Sequence, residues 1–167
     1  MKKLYFLLGT VLLVFFGVII IRTEKFSSQQ IEVMKIPPLS IDPSLISERL
    51  AQAVRIKTVS YDDHARIEYT EFEKFHAFLE TTFPLVHSNL KKDVISGYSL
   101  LYTWRGERQD LKPVLFLAHM DVVPVQKETE ESWSLPPFDG VIDAEGTIFG
   151  RGTMDDKLSV MAVLEAI

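Results

Sequence analysis

The sequence predicts an α/β domain, with helices layered against a sheet, behind one apolar N-terminal helix. Segments with apolar residues at helical spacing alternate with segments of strand character. One of the latter, Pro113–Ala118 (PVLFLA), is a short continuous apolar run, the pattern of a strand buried on both faces. Leu4–Ile21 (LYFLLGTVLLVFFGVIII) carries no charge. The 167 residues are 47% apolar and contain no cysteine. That composition excludes a disordered or low-complexity chain, a disulfide-stapled mini-protein and a cysteine-ligated zinc site.

Each element has a local reason. As a helix, Leu4–Ile21 would be about 27 Å long, near the thickness of a bilayer's hydrocarbon core. It reads as a single-pass anchor. The alternative is a cleaved signal peptide and a secreted body, but Ile20-Ile21-Arg22-Thr23 offers no small-x-small cleavage site. Lys2, Lys3 and the amino terminus outweigh Arg22 and Lys25, which Glu24 offsets, so residues 1–3 are expected in the cytoplasm and the body outside it. Residues 22–41, polar and irregular with Pro37-Pro38, read as a linker. The folded part, 42–167, opens with Asp42 as N-cap and Pro43 at the first helical position. Ile46, Leu50, Ala53 and Val54 then form one helical stripe. A second helix is expected over about 68–82, with Phe72, Phe75, Leu79 and Phe83 on one side and Pro84 helping to end it. Strands are expected at Val86–Ile95 and Tyr98–Trp104, the second leading into a polar turn at Gly106–Asp110. A hairpin follows at Gly140–Phe149, turning at Asp143–Gly146. A last helix begins near Asp156, with Val160, Met161, Leu164 and Ile167 on its stripe. Ile167 falls in mid-helix without a C-cap, so the sequence is expected to be the front part of something longer.

Charge narrows the function classes. The net charge is −5, yet residues 1–25 hold four cations and one anion, leaving −8 on the remainder. An acidic body without a basic cluster argues against nucleic acid as partner.

Two segments carry chemistry. His119-Met120-Asp121 ends the apolar run, where open α/β sheets place their ligand sites. In extended chain, Asp121 faces the same way as His119 and is able to hold one ring nitrogen while the other binds a metal or takes a proton. Alone, H-x-D is better read as a strand-end histidine bonded to a nearby aspartate. Gly150-Arg151-Gly152-Thr153-Met154-Asp155-Asp156-Lys157 puts two carboxylates at a helix start, where Asp155 stays anionic and open to a cation. Taken by itself, that segment is better read as a glycine-rich turn before an aspartate N-cap. A phosphate loop is disfavoured, since acid stands where phosphate would lie.

Together, LFLAHMDVVPV, WSLPPFDG and GTIFGRGTMDDK resemble the zinc-dependent aminoacylase/carboxypeptidase family, closest to its carboxypeptidase S and N-fatty-acyl-amino-acid synthase/hydrolase branch. The resemblance covers roughly 42–167. It implies the N-terminal portion of a two-zinc exopeptidase-type domain, a mixed sheet flanked by helices. It also implies two-metal hydrolysis of amide bonds in N-acyl amino acids or small peptides, with Zn2+ as cofactor and Co2+ or Mn2+ as substitutes. His119 matches a ligand of one zinc, Asp121 the carboxylate that orients that histidine, and Asp155 the carboxylate that bridges the metals. The family usually makes the bond between Asp155 and Asp156 cis. Its paired glutamates, a further acidic ligand, a late histidine and the lid domain through which members dimerise have no counterpart in these residues. A catalytic zinc takes three protein ligands, so this chain alone is expected to be inactive.

The alternative is a non-catalytic, membrane-anchored module that binds or tethers. His64, His76 and His87 read as surface or satisfied core groups, Asp62 and Asp63 as turn formers, and Glu128–Glu131 as a solvated run. Trp133, Pro136, Pro137 and Phe138 suit a cleft mouth or a hydrophobic corner equally.

Overall fold

A computed structural model describes residues 2–28, 30, 37, 40–108 and 110–167. They fall into two compact units, Met1–Ser40 and Ile41–Ile167. The first is dominated by helix α1 (Lys2–Glu24), 23 residues with none buried and a mean hydropathy of 2.8 over its apolar window. By length and composition α1 is able to cross a membrane; a signal sequence meets the same description. Of the expected linker at 22–41, residues 22–24 belong to α1 instead, and 29, 31–36, 38 and 39 lie outside the described residues.

The second unit opens as expected. Helix α2 (Pro43–Arg55) starts where Asp42 Oδ1 accepts from the amides of Ser44 (2.9 Å) and Leu45 (3.4 Å), with Pro43 in its first turn. Its face of Leu50, Ala51, Ala53 and Val54 is buried, while Ile46 is half-buried. A short 3-10 turn (His64–Arg66) precedes α3 (Tyr69–Thr82), which buries Phe72, Phe75 and Leu79. Helix α6 (Lys157–Glu165) completes the core with Met161 and Leu164, and Glu165 accepts from Arg49 of α2 at 2.9 Å. Between α3 and α6 in sequence lie α4 (Pro84–Asn89), strands β1 (Lys91–Ile95) and β2 (Ser99–Thr103), the one-turn α5 (Lys127–Glu130), and strands β3 (Val141–Ile142) and β4 (Ile148–Phe149).

Strands β1 and β2 pair antiparallel from Lys91 with Thr103 to Ile95 with Ser99, and β3 with β4 through Val141 with Phe149. In the turn of the second hairpin, Asp143 Oδ1 accepts from the amides of Glu145 (3.0 Å) and Thr147 (2.8 Å). Gly140, at φ +54°, lets this hairpin lie on α2: a Cβ there would stand 2.3 Å from the carbonyl oxygen of Ala51.

Three expectations are corrected. Val86–Asn89 is helical, not strand. Pro84 ends α3 but also opens α4, its fixed φ suiting a first helical position, and Val86 is thereby buried against the core. Pro113–Ala118 forms no strand: it is neither helix nor strand and unpaired, with Val114 77%, Leu115 69%, Phe116 71% and Leu117 81% exposed. No described strand or helix covers it, and an apolar run is buried only where such a cover exists. Accordingly the described residues form two two-stranded antiparallel sheets rather than a mixed sheet. Farther on, Val122 makes a parallel bridge with Val59, the one isolated bridge among the described residues.

Candidate metal centre

The site grows from the segment that leaves α2. Burial of Leu50, Ala53 and Val54 fixes that helix, and residues 56–60 run out of its C-terminal end beside residues 120–122. Thr58, fully buried, donates its hydroxyl to the carbonyl of Met120 at 2.5 Å. The amide of Val122 donates to Thr58 O (2.9 Å), and the amide of Ser60 donates to Val122 O (3.0 Å). His119-Met120-Asp121 is therefore pinned along its length, although the apolar run before it is free.

The second half comes from the start of α6. Lys157 is fully buried, with Nζ donating to Ala53 O at 2.8 Å and to Ile56 O, above the ring of Phe75. A cation on the last carbonyls of α2 meets the negative end of that helix. Burial pushes the Lys157 ammonium down to about 7. Gly152, at φ +88°, lets the preceding turn approach: a Cβ there would fall 2.5 Å from Val122 Cγ1. The bond between Asp155 and Asp156 is cis, as the family resemblance implies.

These two halves meet at His119. Its Nε2 lies 2.9 Å from Asp155 Oδ1, and its Nδ1 lies 3.0 Å from the carbonyl oxygen of Asp121 and 3.2 Å from Asp121 Oδ1. The other carboxylate oxygen of Asp121 accepts from the Ser60 hydroxyl at 2.6 Å. Asp156 stands at the N-cap of α6 without capping it; its Oδ2 accepts from the His119 amide at 3.3 Å instead. Partial burial acts to lower the His119 pKa. Hydrogen bonds to Asp155 and Asp121, with their charges, outweigh it and hold the ring above its ordinary value.

Both ring nitrogens thus face acceptors, an arrangement that favours the imidazolium. Loss of the Nε2 proton leaves a nitrogen lone pair and a carboxylate oxygen across one gap, with Nδ1–H still held by Asp121. Asp155 is 92% exposed and His119 49%, so the gap is open to solvent. An imidazole nitrogen and a carboxylate oxygen are donor types that divalent ions such as zinc take. Among the described residues no third histidine, aspartate or glutamate joins them. A cavity of about 260 Å3 opens on His119, Asp121 and Asp155. A larger one, about 350 Å3 beside Trp133 and Phe149, holds no titratable side chain and is set aside for that reason.

The remaining histidines are occupied elsewhere or lie apart. His76 Nε2 donates to Tyr98 O at 2.9 Å, and His87 sits between Phe83 O and the Tyr102 hydroxyl, each at 2.8 Å. His64 lies in the 3-10 turn, where Asp63 accepts from the Ala65 amide as a turn former. Trp133 lies under the Arg151 guanidinium and Phe138 under Lys57, so both brace the walls of the loop. Sequence reasoning missed Thr58, Ser60 and Lys157. Only Lys157 left a signal, in the run Asp155-Asp156-Lys157.

Residues 115–167 match the model of Peptidase family M20/M25/M40. Carboxypeptidase S-like 2 of Dictyostelium discoideum is 43% identical over 157 residues, 89% of this chain and 30% of that protein. Carboxypeptidase S of Saccharomyces cerevisiae is 44% identical over 126 residues, 72% of this chain and 22% of its own length. The N-fatty-acyl-amino acid synthase/hydrolase of Mus musculus is 37% identical over 163 residues, 95% of this chain and 31% of that protein. This last match extends beyond residues 42–167 into α1. The chain spans less than a third of each of these relatives.

Proposed function

Because the chain belongs to the aminoacylase/carboxypeptidase family described as peptidase family M20/M25/M40, we propose that it contributes part of the active centre of a metal-dependent amide hydrolase. Its substrates would be N-acyl amino acids or small peptides. The observation that carries this reading is the convergence of His119 Nε2 and Asp155 Oδ1 at 2.9 Å, with Asp121 behind the ring. Relatives named as carboxypeptidases and as a fatty-acyl-amino acid synthase/hydrolase support the substrate class.

In this reading His119 and Asp155 hold a divalent ion, zinc by preference. Asp121 accepts a hydrogen bond from Nδ1–H through its backbone carbonyl, with its carboxylate 3.2 Å away, which fixes the tautomer so that Nε2 presents its lone pair. Held there, such an ion would supply Lewis acidity toward a water molecule and the scissile carbonyl. Asp155 keeps its carboxylate solvent-facing, open to a second ion. Two protein ligands are fewer than a catalytic zinc takes. The general base and remaining ligands are therefore assigned to parts of the enzyme outside these 167 residues, in keeping with relatives more than three times as long.

The test is release of free amine from an N-acyl amino acid by the zinc-loaded enzyme that the reading frame encodes. His119→Ala and Asp155→Asn should each lower kcat by about 100-fold or more, beyond the 10–100-fold typical of outer-shell changes. Undiminished turnover in either variant would sink the reading. A second reading, a non-catalytic membrane-anchored binding module, is favoured by the lack of a third ligand among the described residues. It predicts no amine release from the unsubstituted protein.

A further inference from the structure

The oxygen of Asp121 that faces away from His119 is engaged. Ser60 donates its hydroxyl to Asp121 Oδ2 at 2.6 Å, while Asp121 Oδ1 stands 3.2 Å from His119 Nδ1. The carboxylate is thus hydrogen-bonded at Oδ2 by the hydroxyl and in ion-pair contact at Oδ1 with the imidazole, whose Nδ1 also lies 3.0 Å from the Asp121 backbone carbonyl. Ser60 is itself fixed by backbone bonding to Val122 (3.0 Å), next to the bridge between Val59 and Val122. Asp121 is only half-buried and receives no other side-chain donor besides Ser60 and His119 among the described residues. Without the hydroxyl, its carboxylate would be free to turn about its terminal torsion, which is broad and soft.

We propose that Ser60 is a positioning residue for the metal centre: by holding Asp121 Oδ2 it aims Oδ1 at His119 Nδ1 and so sets the direction of the Nε2 lone pair toward Asp155. The inference rests on the reading of His119 and Asp155 as metal ligands. Ser60 reaches neither substrate nor metal in this role. It acts through Asp121, as outer-shell partners of metal-bound histidines do, with effects of about 10–100-fold on affinity.

The experiment is a Zn2+ titration of the full chain in detergent, read from the ring 1H–15N signals of His119, which report that site even when binding is weak. Ser60→Ala should raise the dissociation constant by about 10-fold, and Ser60→Thr, which keeps the hydroxyl, should restore it to within about twofold of the unsubstituted chain. Ser60→Cys, close in size with a weaker donor, should fall between them and serves if the alanine variant does not fold. In an Asp121→Asn background, Ser60→Ala should add little, since both act along one chain of contacts. A purely structural role for Ser60 would lower unfolding stability and leave the dissociation constant of the folded protein unchanged. That result overturns the inference while Asp155→Asn, by weakening the zinc response of the His119 ring, leaves the metal reading standing. If the unsubstituted chain shows no zinc response at His119, the metal reading falls and this inference with it.

Discussion

Tyr102 stands on β2 with its hydroxyl 2.8 Å from Nε2 of His87, whose Nδ1 lies 2.8 Å from the carbonyl oxygen of Phe83. A carbonyl only accepts, so Nδ1 carries the proton, Nε2 is the acceptor and the phenol donates. Burial, and secondarily the charge of Glu80, push the Tyr102 hydroxyl up to about 12. The sign follows from linkage. Below pH 10 the group is neutral in both folded and unfolded chain and has no effect. Between about 10 and 12 the unfolded chain ionises while the folded one does not, so stability should fall by about 1.4 kcal/mol per pH unit. Absorbance at 295 nm should show a late tyrosinate step that Tyr102→Phe removes, and that variant should lose this part of the alkaline destabilisation. A titration indistinguishable between the two proteins would contradict the buried donor. At this same scale the candidate site was legible in sequence as far as side chains with obvious chemistry go. His119, Asp121 and Asp155 stand together, but only by a resemblance that joins segments 36 residues apart in the chain. Ser60 and Thr58 were not legible, and Lys157 showed only as part of the run Asp155-Asp156-Lys157. Their roles arise from what the fold sets beside them, and a hydroxyl or an ammonium has no periodicity to betray it.

Among the elements, α1 owes nothing to tertiary packing: none of its 23 residues is buried. Such a surface is stable in hydrocarbon, where backbone groups bond within the helix and the side chains are as apolar as the lipid. Lys2 and Lys3 precede it, and Glu24 partly cancels Arg22 and Lys25, so α1 should insert with its amino end in the cytoplasm. Glycosylation mapping in microsomes checks this: an acceptor site placed within Ile41–Ile167 should be modified, and one placed ahead of Lys2 should not. The reverse pattern would invert the topology, and modification with release from the membrane would mean cleavage. Helices α2, α3 and α6 were legible because each carries its own apolar stripe, and α2 has a start signal besides, Asp42 before Pro43. Helix α4 was not, because six residues are too few to display a helical period, and Pro84 reads equally as a stop and a start.

For the molecule as a whole, the run Pro113–Ala118 marks the boundary of what local sequence determines. Its composition asks for burial, yet whether it is buried depends on distant residues supplying a partner strand and a cover. Here Val114, Leu115, Phe116 and Leu117 face solvent and their amides join no ladder. Hydrogen exchange followed by mass spectrometry should therefore find residues 113–118 of this chain exchanging as fast as an open loop, while α2 and α3 are protected. Protection of that run comparable to α2 would show that something covers it.

Helix α2 is closed over by residues made long after it: Lys157 reaches back 104 positions to Ala53, and Glu165 reaches 116 positions to Arg49. A ribosome adds about 5–20 residues per second, so α2 and α6 emerge roughly 5–20 s apart. Throughout that interval the carbonyls at the end of α2 lack their cation, and part of its apolar face lacks its lid. Nascent chains halted before Lys157 should accordingly be the species that chaperones hold longest.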